Sequence, residues 1–266
     1  MTTVPADVRR SSLYWAVNDS RVLIGRCLRH IARSPEQLVL MLFLPVMLLV
    51  MFRYLFGGAI DTGDVTYVNY VISGIVVVAV MVNTTATSVA VCHDMLEGIV
   101  ERFRSMPMRG TAVLVGHVAA AMTRHAVSIA VMVGVGLLIG FRPRAGFLDW
   151  LVALGLLAVF ALAVSWLAAI LGLLAKTVEG ASGLAMPLVF IPYVGSALVP
   201  PSTMPDWLRV FAENQPVSLV ADSVRALFMG TPLGNTGWLA LAWWGGIIVL
   251  AVPLAGRIFR RKATQR

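Results

Sequence analysis

Cys92-His93-Asp94-Met95-Leu96-Glu97-Gly98-Ile99-Val100-Glu101-Arg102-Phe103-Arg104-Ser105-Met106-Pro107 is a charged stretch set between two long apolar runs, so the chain must leave the bilayer there. Met95, Ile99, Phe103 and Met106 recur at helical spacing and form one apolar stripe. Asp94, Glu97 and Glu101 lie on another face, with Arg104 following Glu101 at i+3. Pro107 ends the helix, because its ring removes a donor and clashes with the preceding turn. The pattern predicts an amphipathic helix at the membrane surface with an acidic ridge facing water. Two readings of that ridge stand side by side: a solvated connection between spans, or a docking surface for a soluble partner.

The rest of the composition agrees with a membrane setting. The 266 residues are 59% hydrophobic and 13% charged, with mean hydropathy +0.85, whereas soluble domains are about a quarter charged. The net charge of +8 invites a nucleic-acid reading. In a chain this apolar, basic residues instead mark cytoplasmic loops. No cleavable signal pattern is visible, since the first long apolar run begins near Val39 behind a polar, Arg-bearing segment. Cys27 and Cys92 both fall on the expected cytoplasmic side and are expected to stay reduced.

Along the chain, Val17, Ile24, Leu28 and Ile31 share one helical face while Arg26, Arg29 and Arg33 line another. Such a basic amphipathic helix lies in the plane of the membrane interface. Ser34-Pro35-Glu36-Gln37 then reads as a helix start, with Pro35 at the first helical position. Six spans are expected: roughly 38–56, 67–91, 111–140, 151–175, 181–199 and 237–256. Pro187 and Pro192 should kink or break the fifth near its outer end. Between the fifth and sixth, Pro205-Asp206-Trp207-Leu208 opens one short helix and Val217–Met229 forms another, with Asp222 and Arg225 at i+3. Neither is long enough to cross, so both are expected to dip into the outer leaflet. Arg124 and His125 interrupt the third run and are placed near the inner boundary, where arginine can snorkel or find a partner, with a substrate contact as the alternative reading. Ser73, Asn83, Thr84, Thr87 and Ser88 give the second span a mildly polar face, which suits either interhelical hydrogen bonds or a solute path.

Lys and Arg crowd one side of these spans by roughly three to one, which puts both termini and the charged helix in the cytoplasm. Catalytic patterns do not emerge: the four histidines are scattered, and neither His-Glu-x-x-His nor Gly-x-Ser-x-Gly occurs. No catalytic, cofactor-binding or metal-ligating residue is therefore assigned. Without a nucleotide motif or an acidic relay in the spans, uphill transport needs energy from another subunit.

Glu97-Gly98-Ile99-Val100-Glu101-Arg102-Phe103-Arg104-Ser105-Met106-Pro107 resembles the signature of ABC type-2 transporter permeases, in which an E-x-G-x-x-E-R-like run precedes a hydrophobic-Pro step. Val199-Pro200-Pro201-Ser202-Thr203-Met204-Pro205-Asp206-Trp207-Leu208, followed by Asn214-Gln215-Pro216-Val217, resembles their segment before the last span; Gln215 stands where many relatives have a direct Asn-Pro. With Arg33-Ser34-Pro35 before the first span, the likeness covers nearly the whole chain and is greatest to the daunorubicin-resistance type of drug exporter.

The resemblance implies an all-α integral membrane protein of about six transmembrane helices. Residues 1–37 would form the cytoplasmic N-terminus and interface helix, 38–256 the transmembrane domain, and 257–266 a basic cytoplasmic tail. Within the domain, 92–107 would be the coupling helix and 203–229 the outer re-entrant helices. It further implies a permease homodimer in the bacterial inner membrane, bound to lipids and to two copies of an ABC ATPase that holds ATP and Mg. Glu97, Gly98, Glu101, Arg102, Phe103 and Pro107 would carry the coupling contact. Asn83, Thr84, Thr87, Phe190 and Tyr193 would line the path of a hydrophobic or amphipathic drug or lipid moved out of the cell. The competing expectations are an exporter of a polysaccharide or lipid-linked glycan, and a membrane-embedded enzyme or receptor without an ATPase.

Overall fold

The structure, a computed structural model, describes residues 35–58, 66–97 and 111–264. Every regular element among them is helical. In chain order these are α1 (Pro35–Met51), a single π turn (Phe52–Phe56), α2 (Tyr67–Leu96), α3 (Thr111–Leu138), α4 (Phe147–Leu174) and α5 (Val178–Phe190). Two short 3₁₀ turns follow (Ile191–Val194 and Pro201–Thr203), then α6 (Asp206–Asn214), α7 (Pro216–Met229) and α8 (Thr236–Thr264). Among the described residues four helices are long and apolar enough to cross a membrane, over Tyr67–Leu96, Val113–Leu138, Phe147–Leu174 and Thr236–Lys262, and two shorter apolar helices accompany them. The expected N-terminal interface helix, Ser34 at the start of the first span and most of the charged stretch lie outside the described residues.

The bundle is built around α2. Its 30 residues measure about 45 Å at the usual helical rise. From Val71 to Met81 every residue is buried, as befits a helix that is apolar on all sides. Around it pack α1, α3, α4, α5 and α7, with α8 on the far side of α4. Lipid tails are as apolar as these side chains, so close fit rather than water exclusion must hold such helices together. Glycines provide that fit at two points. A Cβ on Gly172 of α4 would overlap the Ser88 carbonyl of α2, and one on Gly74 of α2 would overlap the Ala197 carbonyl. Aromatic contacts complete the core: Phe160 meets Trp244 edge-on at 4.7 Å, and Phe228 sits 4.8 Å from Trp150.

Two sequence boundaries shift. Cys92–Leu96 continue α2 instead of opening a separate helix, because their apolar positions extend its buried face: Val91 and Cys92 are both buried. The fifth apolar run is helical only from Val178 to Phe190 and tightens to 3₁₀ at Ile191–Val194. Pro192 accounts for the change, since it cannot donate to the helical ladder. Asn214-Gln215-Pro216 separates α6 from α7 as expected, and Gly230 caps α7 in the left-handed region (φ 65°), its N–H reaching the Ala226 and Leu227 carbonyls.

Candidate coupling face and solute path

Where α2 ends and α3 begins, the helices are tied by several polar contacts. His117 Nε2 of α3 lies 2.9 Å from Asp94 Oδ2 of α2, and both side chains are largely covered. One turn along α2, the exposed His93 and Glu97 pair at 3.6 Å. Cys92 Sγ donates to the Thr177 carbonyl at 3.3 Å, and Ser88 Oγ to the Ala181 carbonyl at 3.1 Å, which fasten α2 to the turn before α5 and to the first turn of α5 itself. Thr177 caps α5 by accepting from the Gly180 N–H. Lys262 Nζ of α8 reaches the Ala175 carbonyl at 3.4 Å, so the last helix ends at the same face.

Of the six residues expected to carry coupling, Glu97 is described: it closes α2, exposed, with its N–H on the His93 carbonyl. Gly98, Glu101, Arg102, Phe103 and Pro107 lie outside the described residues. The segment that holds them leaves from, and returns to, the tied ends of α2 and α3. Sequence reading missed the Asp94–His117 pair, because its partners are 23 residues apart on different helices; Asp94 had been assigned to the acidic ridge.

The five residues expected along a solute path fall into two separate groups. Asn83, Thr84 and Thr87 are buried within the bundle. Asn83 Nδ2 donates to Ser128 Oγ at 2.9 Å, and Arg124 Nη2 donates to Thr87 Oγ1 at 3.0 Å, so this face of α2 bonds to α3. Thr84 turns its hydroxyl back to the Val80 carbonyl at 3.5 Å. Phe190 and Tyr193 stand elsewhere, with ring centroids 6.2 Å apart at the end of α5. Phe190 is 60% exposed, and Leu184 and Met186 extend the same exposed apolar character along α5.

A second polar cluster gathers at the opposite end of the bundle from Thr177 and Glu97. The chain after the 3₁₀ turn passes beneath two tyrosines, whose hydroxyls donate at 2.9 Å: Tyr70 to the Ser196 carbonyl and Tyr67 to the Leu198 carbonyl. Arg225 of α7 donates to the carbonyls of Tyr70 (3.1 Å) and Ser196 (2.8 Å) and pairs with Asp222. Ser196 completes the ring by donating its hydroxyl to Asp222 Oδ1 at 2.8 Å. Ser218 Oγ accepts from the Ser196 N–H, and Gln215 Nε2 lies within 2.9 Å of the same oxygen. A Cβ on Gly195 would collide with the Gln215 side chain. Asp222 and Arg225 were legible as an i+3 pair, but their attachment to Ser196 and Tyr70 was not.

Comparison with known proteins agrees with this architecture. Residues 19–229 match the ABC-2 type transporter family. The chain is 32% identical over 263 residues to the daunorubicin resistance ABC transporter permease protein DrrB1 of Streptomyces coeruleorubidus, covering 98% of this chain and 93% of that protein. It is 24% identical over 260 residues to the probable doxorubicin resistance ABC transporter permease protein DrrC of Mycobacterium tuberculosis, covering 96% and 92%. A putative transport permease, ycf38 of Porphyra purpurea, is 25% identical over 242 residues, covering 88% and 82%. A match over most of the chain, an all-helical bundle with four helices able to cross a bilayer and a charged break after the buried central one lead to one assignment: this multi-pass membrane protein belongs to the ABC-2 type transporter family, as a permease of the daunorubicin-resistance type.

Proposed function

We propose that the chain is the membrane subunit of an ATP-driven drug exporter, working as a homodimer with two copies of a separate ABC ATPase that binds ATP and Mg. The observation that carries this reading is the tied junction of α2 and α3. Asp94 and His117 hold the two helix ends together at 2.9 Å, so a force on residues 98–110 reaches the core helix α2 directly. Glu97, Gly98, Glu101, Arg102, Phe103 and Pro107 make the ATPase contact, and that face is cytoplasmic together with both termini of the chain. Residues 1–37 serve as the interface helix, 38–256 as the transmembrane domain with short outer helices within 203–229, and 257–266 as the basic tail. The exported solutes are hydrophobic or amphipathic drugs, in keeping with the names of the relatives in Streptomyces and Mycobacterium. The membrane is the bacterial inner membrane. Phe190 and Tyr193 face the solute, while Asn83, Thr84 and Thr87 shape the path from within the bundle.

The test is a charge reversal. Glu101→Lys puts like charge against a contact where mismatch costs several kcal/mol. In proteoliposomes with the partner ATPase, the variant should insert normally yet lose ATP-driven drug accumulation. Unchanged transport together with an unchanged complex would overturn the proposal.

A further inference from the structure

α8 is apolar from Trp238 to Gly256 and carries no acidic residue between Thr236 and Thr264, while Arg257, Arg260, Arg261 and Lys262 crowd its last turns. The apolar run measures about 28 Å at the helical rise, close to the roughly 30 Å of a bilayer's hydrocarbon core. Trp238 is exposed at one end and anchors that end at the interface. Arg257, at the other end, therefore stands at the depth of the lipid phosphates.

One side of α8 belongs to the bundle. Ala251, Ala255 and Phe259 are buried in one cluster with Trp166, Ile170 and Leu173 of α4, and Lys262 continues that side with its Nζ on the Ala175 carbonyl. The opposite side carries a second stripe. At about 100° per residue, Leu250, Leu254, Arg257 and Arg261 fall within about 60° of one another and turn away from Ala255. All four are exposed, with Val249 and Arg260 beside them. The stripe thus changes from hydrocarbon to guanidinium where the bilayer changes from acyl chain to headgroup. Among the described residues no carboxylate pairs with Arg257 or Arg261.

We infer that this stripe is a binding site for an anionic phospholipid, whose phosphate is held by Arg257 and Arg261 while an acyl chain lies along Leu254 and Leu250. Planar guanidiniums bond phosphate oxygens two at a time. Basic side chains at this depth attract anionic headgroups, whereas a zwitterionic headgroup brings its own cation. A second copy of the chain does not suit the stripe, because a two-fold contact would bring like charges together. An acidic soluble protein would match the arginines but not the exposed leucines, which lie at acyl-chain depth. The site rests on the membrane setting of α8 and not on the exporter reading above.

Two matched lipids test it on the purified permease in detergent, without an ATPase: dioleoylphosphatidylglycerol and dioleoylphosphatidylcholine, which share acyl chains and differ in headgroup charge. Native mass spectrometry counts the lipid-bound forms. The wild type should favour the anionic lipid by on the order of tenfold. Arg257→Gln with Arg261→Gln should erase that preference, and Arg257→Lys with Arg261→Lys should keep most of it. Arg144→Gln with Lys176→Gln removes the same charge from exposed positions off the stripe and should leave the preference unchanged. Equal binding of the two lipids by the wild type overturns the proposal. So does a preference that survives the glutamine pair on α8, or one lost equally in the control pair, which would make it an effect of net charge alone. Full displacement of the lipid by glycerol 1-phosphate would mean a site for free phosphate and would also overturn it. Intact lipid preference without ATP-driven export would sink the exporter reading alone, and intact export without the preference would sink the lipid site alone.

Discussion

The guanidinium carbon of Arg225 stands 3.7 Å from the centre of the Tyr70 ring, a cation–π contact that joins α7 to the first turns of α2. The same side chain pairs with Asp222 and bonds the Ser196 carbonyl, so one arginine secures the loop left where Pro192 ends the fifth helical run.

Arg225 and Asp222 should therefore behave as a unit. Their side chains are 15% and 32% exposed, so removing either partner is expected to cost about 1–3 kcal/mol, less than a fully buried pair. Arg225→Lys should recover little, because an ammonium cannot bond two carbonyls and a carboxylate in one plane. Thermal unfolding of the purified permease checks this. The double variant Arg225→Met with Asp222→Leu should be less destabilised than the two single losses combined; simple additivity would mean that the cluster does not act cooperatively.

Phe190 and Asn83 should separate on mutation. With Phe190 60% exposed, Phe190→Ala is expected to leave stability within about 0.5 kcal/mol while altering drug-stimulated ATP hydrolysis by the partner. Asn83→Ala deletes the bond to Ser128 and should lower stability by about 1 kcal/mol, the scale of interhelical bonds in membranes. Identical unfolding temperatures for Asn83→Ala and the wild type would remove its structural role. An unaltered drug profile for Phe190→Ala would remove Phe190 from the path.

Glycine replacements should divide by what a Cβ would meet. Gly74→Ala and Gly172→Ala press against backbone carbonyls and should destabilise by about 1–3 kcal/mol, as overpacked cores do. Gly155→Ala on α4 meets nothing within 4 Å and is expected to be neutral or stabilising by up to about 1 kcal/mol. Unfolding midpoints in one detergent give the comparison, and equal effects at the three positions would contradict the close helix approaches.

Orientation is open to cysteine labelling, though not through the native Cys92. That thiol is buried, so its silence would say nothing about sidedness. Single cysteines replacing the exposed Asp206 and Glu97 in a chain with Cys27→Ser are the informative pair. Intact cells should label position 206 with an impermeant reagent, and position 97 only after permeabilisation. The opposite pattern would invert the proposed topology.

Length, apolar periodicity and proline placement determined the helical character, the order of the spans and the two short helices before the last one. These are properties of single segments: an apolar run of about 20 residues is helical in lipid because its backbone must bond within itself. The family, too, was legible in linear motifs. Pairing between segments was not. Asp94 looked like one more charge on an acidic ridge until α3 brought His117 to it, and the hydrogen-bonding role that the polar face of α2 suggested for Asn83 and Thr87 had no named partner until Ser128 and Arg124 supplied it. His125 is buried between α3 and α4 with its Nε2 3.2 Å from Ser165 Oγ, a partner 40 residues away that no linear pattern points to. A helical pattern records which side of a helix is apolar, and in a bilayer nearly every side is. Which neighbour covers each side depends on close fit among all the helices at once, and only the assembled bundle decides that.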